Sequence, residues 1–147
     1  MKPRELFLDT TYVMPFLYLD IDVKGFSRTV YKKVIKSFER IHISEISIIE
    51  AKAKSLKLGE KVNEKFNEGL YVLSTDKKVV IHAYRAEDDK IFNELKGLDF
   101  FDRVILAQSA AVGNLLTEDA KLLNIKNAGI RTMNWNALIR EIGIESK

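Results

Sequence analysis

The sequence predicts an α/β fold: a three-layer α/β/α sandwich with helices on both faces of a central, mainly parallel sheet of about five strands. Three observations carry that expectation. Short apolar runs recur at Leu6–Leu8, Ile41–Ile43, Val79–Ile81, Leu115–Leu116 and Ile130–Met133. Longer stretches with helical spacing of apolar residues separate them. Three of the runs are closed by Asp9, Ser44 and Thr117, polar residues suited to the turn from a strand into a helix.

Taken in order, Leu6-Phe7-Leu8 is a buried strand closed by Asp9. Thr10 to Leu19 reads as a helix, with Pro15 limiting its first part because proline is tolerated only in a first turn. Gly25 breaks the pattern. Phe26 to Arg40 resumes it, with Phe26, Val30, Val34 or Ile35, and Phe38 on one face. Ile41-His42-Ile43 is a second strand, ending at Ser44. Ser44 to Leu58 reads as an amphipathic helix with Ile46, Ile49, Ala53 and Leu56 on one side, and Gly59 ends it. Glu60 to Leu73 is a further helix, weakened by Gly69. Val79-Val80-Ile81 is the third strand. Ala86 to Leu95 is a helix with Glu87, Asp88 and Asp89 in its first turn, where the helix dipole favours them. Asp102 to Val112 is a helix ended by Gly113, and Leu115-Leu116 is the fourth strand. Asp119 opens a short helix through Leu123. Ile130 to Met133 is the fifth strand, and Trp135 to Ile142 the last helix.

A chain of 147 residues suits one domain, 1–147, with a real core. The absence of cysteine excludes disulfides, thiolate zinc sites and a cysteine nucleophile. The two histidines, His42 and His82, lie in separate strand-like runs, which argues against a histidine-rich zinc site. A net charge of +3 permits a polyanionic partner without demanding one. No apolar stretch reaches the ~18 residues of a membrane helix, so no membrane association is expected. The opening MKPRELFLDTT is unlike a secretory signal, and a cytoplasmic protein is expected.

Four acids stand out by position: Asp9, Glu50, Asp102 and Asp119. In an open parallel sheet, ligands bind outside the carboxyl ends of the strands, near the point where strand order reverses. Asp9 follows the first strand and Asp119 follows the fourth by a short turn. Glu50 lies about two turns into the helix leaving the second strand. Asp102 reaches the same edge only if the long 82–101 segment carries the chain across the sheet. Gathered carboxylates cannot all stay ionised in a dry crevice without cations. Hard ions such as Mg²⁺ or Mn²⁺, which prefer oxygen ligands, supply the missing charge. The pattern points toward metal-assisted phosphodiester chemistry.

FLDTTYV, ISEISIIEA, DFFDRVILAQSAAVGNLLTEDAKLL and RTMNW, in this order, resemble a PIN domain, the nuclease fold of VapC-type toxins and their archaeal relatives. The resemblance covers nearly the whole chain. It implies an endoribonuclease that hydrolyses RNA with one or two Mg²⁺ or Mn²⁺ ions, its acidic quartet falling on Asp9, Glu50, Asp102 and Asp119. It also implies a homodimer and a small antitoxin partner. Thr10, Ser47 and Thr117 are placed to hold carboxylates or water by their hydroxyls. Arg103 and Lys52 are candidates for phosphate contact. One departure is Ala120-Lys121-Leu122, where the family often carries another polar or acidic residue; Glu118 and Asp99 are nearby acids that would compensate. The departure motivates an alternative: a catalytically silent PIN-like module that binds RNA or a protein.

Plainer readings exist for each residue. Asp9, Asp102 and Asp119 each suit a helix N-cap. Ser47 and Glu50 match a capping box. The lysines around Glu50 read as a solvated helix face. Trp135, His42 and His82 read as packing residues, and the aromatic faces between residues 12 and 38 as core or dimer surface.

Overall fold

A computed structural model of the chain describes residues 4–125 and 129–144. Five strands, β1 (Glu5–Leu8), β2 (Arg40–Ser44), β3 (Val79–His82), β4 (Asn114–Leu116) and β5 (Arg131–Met133), form one sheet in the order β3-β2-β1-β4-β5. Every pairing is parallel. The chain starts at the centre of the sheet, builds outward to one edge, then returns to the other side of β1. The carboxyl ends of β1 and β4 therefore flank the point of reversal.

Alternation along the strands separates two cores. Leu6 and Leu8 of β1 join Ile41, Ile43, Leu116 and Met133 in one core, and Phe7 joins Leu115 in the other. The first core is covered by α2 (Arg28–Lys36), α4 (Glu60–Thr75) and α8 (Trp135–Ile142), through Val30 and Val34, Phe66 and Leu73, and Leu138 and Ile142. The second is covered by α5 (Ala86–Glu94), α6 (Phe100–Ser109) and α7 (Ala120–Leu123), through Ile91, Ile105, Leu106 and Leu122. The result is the three-layer arrangement expected. No helix among the described residues is long and apolar enough to cross a membrane.

Several boundaries differ from expectation for local reasons. The helix expected over Thr10 to Leu19 is only α1 (Thr10–Val13), followed by a 3₁₀ turn over Met14–Leu17 with Pro15 near its start. The helix expected over Phe26 to Arg40 is trimmed to α2, because Ser27 caps it by accepting from the Val30 N–H at 3.1 Å and Arg40 already belongs to β2. Asp102 does not begin its helix: α6 starts at Phe100 and ends at Ser109, and the chain then turns into Gly113 at φ +90°. Aromatic residues Tyr12, Tyr31 and Phe38 are core rather than surface. Trp135 is fully buried and stacks on Tyr12, with ring centroids 5.9 Å apart.

The largest correction concerns α3 (Glu45–Leu58). Its buried stripe is Ser47, Ala51 and Ser55, while Ile49 and Leu56 are 60% and 61% exposed. Small residues let α3 lie close to α1 and α4, and their hydroxyls are satisfied there: Ser55 donates to the Lys52 carbonyl at 2.8 Å. A second close approach explains Gly69. A Cβ at that position would stand 2.5 Å from the Phe16 carbonyl oxygen and 2.9 Å from the Leu17 Cα. Alanine gains about 1 kcal/mol of helix propensity over glycine, but overpacking against rigid backbone costs about 1–3 kcal/mol. Gly69→Ala is therefore expected to lower the urea unfolding midpoint; a variant as stable as the parent contradicts this close packing.

Candidate active site

Asp9 ends β1 and caps α1: its Oδ1 accepts from the Thr10 N–H at 2.8 Å. Its other oxygen, Oδ2, accepts from the Thr117 hydroxyl at 2.6 Å, which ties the end of β1 to the end of β4. Thr117 is fully buried, and its Oγ1 also accepts from the Asp119 N–H at 3.1 Å. Asp119 caps α7 through Oδ1, which accepts from the Lys121 and Leu122 N–H groups. On the opposite flank, the Thr10 hydroxyl donates to Glu50 Oε1 at 3.0 Å. Its single proton being so used, the Ser47 hydroxyl donates to it at 2.7 Å. Because α3 starts at Glu45 with Ser44 as its cap, Ser47 and Glu50 lie inside the helix and form no capping box.

Asp9, Glu50, Asp102 and Asp119 line one open cavity of about 350 Å³, together with Thr10, Thr11 and Glu118. Phe101 and Ile105 supply an apolar wall. Asp102 is the third residue of α6 and caps nothing; among the described residues its carboxylate accepts no hydrogen bond. Glu118 enters more firmly than its sequence suggested, because its Oε2 accepts from the Tyr12 hydroxyl at 2.6 Å and the Trp135 N–H at 2.8 Å. The contiguous Thr117-Glu118-Asp119 was the only local sign of it. Its two donors are 106 and 17 residues away.

The two expected phosphate contacts are not in this cavity. Arg103 turns to α5, donating to the Phe92 carbonyl at 2.7 Å with its guanidinium 4.0 Å from the centre of the Phe92 ring. Lys52 turns to α4, where it donates to Asn63 and Asn67 and lies over the Phe66 ring. Both cations gain partners closer in the fold than the carboxylates.

The donor set is all oxygen, as Mg²⁺ or Mn²⁺ requires. Among the described residues, no three acidic or histidine side chains are placed to enclose an ion by themselves. Magnesium keeps several of its waters and takes one or two protein carboxylates, so the chemistry of the cavity fits such an ion without a closed cage.

Sheet order and cavity together define an α/β protein with an acidic crevice at its topological switch point. More particularly, the chain has the PIN-domain fold of VapC toxins. VapBC2 from Rickettsia felis, bound to a DNA fragment from its promoter, matches with a TM-score of 0.64 at 18% identity, over 89% of this chain and 98% of that one. A DNA-bound VapBC from Salmonella typhimurium matches with 0.64 at 14% identity, over 92% and 99%. Mycobacterium tuberculosis VapC20, a sarcin-ricin-loop-cleaving toxin, matches with 0.57 at 14% identity, over 86% and 98%. No family model and no curated protein matches the sequence.

Charge in the cavity is poorly compensated. The Asp102 carboxyl is pushed up to about 6, first by burial and then by Asp119, Asp9, Asp99 and Glu50. Burial also raises Asp9, against the hydrogen bonds from Thr117 and Thr10, with Asp119 adding to the rise. Glu50 is raised by burial, with Thr10 opposing and Asp9 adding. The linkage sign follows from these directions. A carboxyl with a folded-state pKa above its unfolded value favours folding when protonated, and that contribution is lost as pH rises through the folded value. For Asp102 the window runs from about 3.8 to about 6. In chelator, Asp102→Asn is therefore expected to melt at a higher temperature than the parent at pH 7.5, with the gap closing as pH falls toward 4. A gap that is absent at pH 7.5, or that widens in acid, rules out the crowding of charge around Asp102.

Proposed function

We propose that this protein is a metal-dependent endoribonuclease that hydrolyses RNA phosphodiester bonds and serves as the toxin of a toxin–antitoxin pair. The observation that carries the reading is the uncompensated acidic cavity at the switch point of a VapC-like fold. VapC20 is a sarcin-ricin-loop-cleaving toxin, and VapBC2 and VapBC are bound to DNA; together with the VapC-like fold these support a small antitoxin partner here.

In this reading Asp9, Glu50, Asp102 and Asp119 hold one or two Mg²⁺ or Mn²⁺ ions. When bound, such an ion activates water and offsets charge on the phosphate. The chain's own groups fix the geometry. Thr117 orients Asp9, Thr10 orients Glu50, and Ser47 fixes the Thr10 hydroxyl. Phe101 and Ile105 exclude water from one wall. Exposed Leu56 and Leu58 of α3, with Tyr71 and Val72 of α4, support self-association as a homodimer.

A second reading, a silent module that binds RNA or a protein, draws on the absence of any three converging acidic or histidine ligands among the described residues. Metal titration separates the two. The nuclease reading expects calorimetric Mn²⁺ binding at millimolar ion or below, with Mn²⁺-dependent cleavage of single-stranded RNA. Asp9→Asn keeps the helix cap, since asparagine caps as well as aspartate. It is expected to retain the far-UV circular dichroism of the parent while losing on the order of a hundredfold or more in cleavage rate. Full activity in Asp9→Asn, or no Mn²⁺ binding by the parent, would reject this reading.

A further inference from the structure

Two further cavities are largely apolar. One, about 380 Å³, lies between α3, α5 and α6 beside the acidic cavity, and Glu45 and Asp89 in its lining disfavour an anion. The other, about 470 Å³, lies between the 3₁₀ turn, α2 and α4, and is of opposite charge. Arg28, Lys32 and Lys36 line it, and among the described residues no acidic side chain does. These cations stand four residues apart on α2, so each rises about 6 Å from the one before it along the same side of the helix. Lys32 and Lys36 are exposed, and among the described residues neither side chain has a hydrogen bond or an ion pair. Arg28 donates to the Pro15 carbonyl at 3.2 Å and meets Asp20 at 3.4 Å. The Asp20 side chain is 99% exposed, so that pair yields readily to a competing anion.

The same cavity offers ring surface. Phe16 and Tyr31 line it edge to face, with centroids 5.6 Å apart. Tyr18 also lines it, is 49% exposed, and has Lys65 Nζ 6.0 Å from its ring centre. Its backbone is left-handed at φ +59°, a conformation that glycine adopts freely and that a bulky residue adopts only under strain. The turn sets the Tyr18 ring against Gly69 of α4, where a Cβ would stand 3.2 Å from Tyr18 Cδ2. Strain retained at a half-exposed aromatic points to a ring held for contact with a ligand.

Unpaired cations in a row beside open aromatic faces are what a single-stranded nucleic acid requires: the charges track the phosphates and the rings stack on bases. A second copy of the chain suits the groove less, because a two-fold contact centred on it would set the cations against their own copies. The position also suits a strand on its way to the acidic cavity. Thr10 and Thr11 line the acidic cavity, and Pro15, Phe16 and Tyr18, which follow them in the chain, line the basic one. Thr11 and Pro15 are separated by about 6 Å of helical rise, so a strand of a few nucleotides spans both. Between them, Lys54 reaches Met14, its Nζ 3.8 Å from the sulfur, and continues the positive track. We infer that the groove between α2 and α4 binds single-stranded RNA without regard to sequence, with phosphates on Lys32 and Lys36 and a base on Tyr18, and so leads the strand to the acidic cavity. That the ligand is RNA rests on the nuclease reading; the charge and rings of the groove do not.

The test uses the whole chain in EDTA and fluorescently labelled single-stranded RNA octanucleotides of uridine and of adenosine, followed by anisotropy. Lys32→Gln with Lys36→Gln is expected to weaken both about tenfold and to lower the slope of log affinity against log salt by about 1.4, two contacts at about 0.7 each. Lys57→Gln with Lys61→Gln makes the same charge change on exposed side chains outside the groove and is expected to bind as the parent does. Tyr18→Leu is expected to lose about tenfold in affinity, and Tyr18→Phe to keep it. No RNA binding by the parent, an equal loss from both lysine pairs, or parental affinity in the Lys32/Lys36 or Tyr18→Leu variants overturns the assignment and leaves the groove to an acidic protein segment. Repeating the series in Mn²⁺ separates the two ideas. RNA held through these lysines but never cut leaves the groove and removes the nuclease. Cutting with a KM unchanged in the Lys32/Lys36 variant does the reverse, whereas a raised KM at unchanged kcat supports both.

Discussion

Four carboxylates drawn into one half-dry crevice repel each other, and the surrounding structure depends on how that repulsion is met. Neutral donors meet part of it. Thr117 and the Thr10 N–H serve Asp9, the Thr10 hydroxyl serves Glu50, and the α7 amides serve Asp119. None of the ion pairs among the described residues reaches the quartet. Lys52 and Arg103, the cations nearest in sequence to Glu50 and Asp102, are engaged with α4 and α5. A network built for stability would set these cations against the acids. Here the charge is left for protonation or for a cation from outside to balance, and burial first, with neighbouring carboxylates adding, raises the pKa of Asp9, Glu50 and Asp102.

The sheet makes this crowding possible. β1 is central and buried on both faces, so its end cannot shift without disturbing both cores. The Asp9–Thr117 hydrogen bond joins the two strands at which the order reverses. Asp119 follows at once as the cap of α7, so its carboxylate is fixed by local geometry. Asp102 arrives differently. Helices α5 and α6 lie between edge strand β3 and inner strand β4, and the crossing brings the first turn of α6 over the carboxyl edge.

What the sequence made legible was local. Strand ends at Asp9, Ser44 and Thr117 follow from short apolar runs with polar closures, and the limits of α8 follow from its period and from Gly143. What it hid was pairwise. In α3 the larger apolar residues suggested one buried face, but close helix approach selected Ser47, Ala51 and Ser55. Hydrophobicity does not encode that choice, because it depends on how near α1 and α4 come. Glu118 stood out in the sequence only as an acid beside Asp119, and the partners that hold it, Tyr12 and Trp135, are distant in the chain. His42 and His82 resembled two unrelated core residues, yet the β2–β3 register sets them on one face, where they join Glu5 in a line.

Arg103 shows how a residue chosen for one task can serve the same site by another route. Its guanidinium stacks on Phe92 and bonds to the Phe92 carbonyl, which anchors α6 to α5. The anchored turn carries Asp102 toward the acidic cavity and Phe100 toward the neighbouring apolar cavity. Rotation of α6 about its axis would move both together, because they project from one rigid turn. Arg103 thereby fixes how the two cavities sit relative to each other while lining neither.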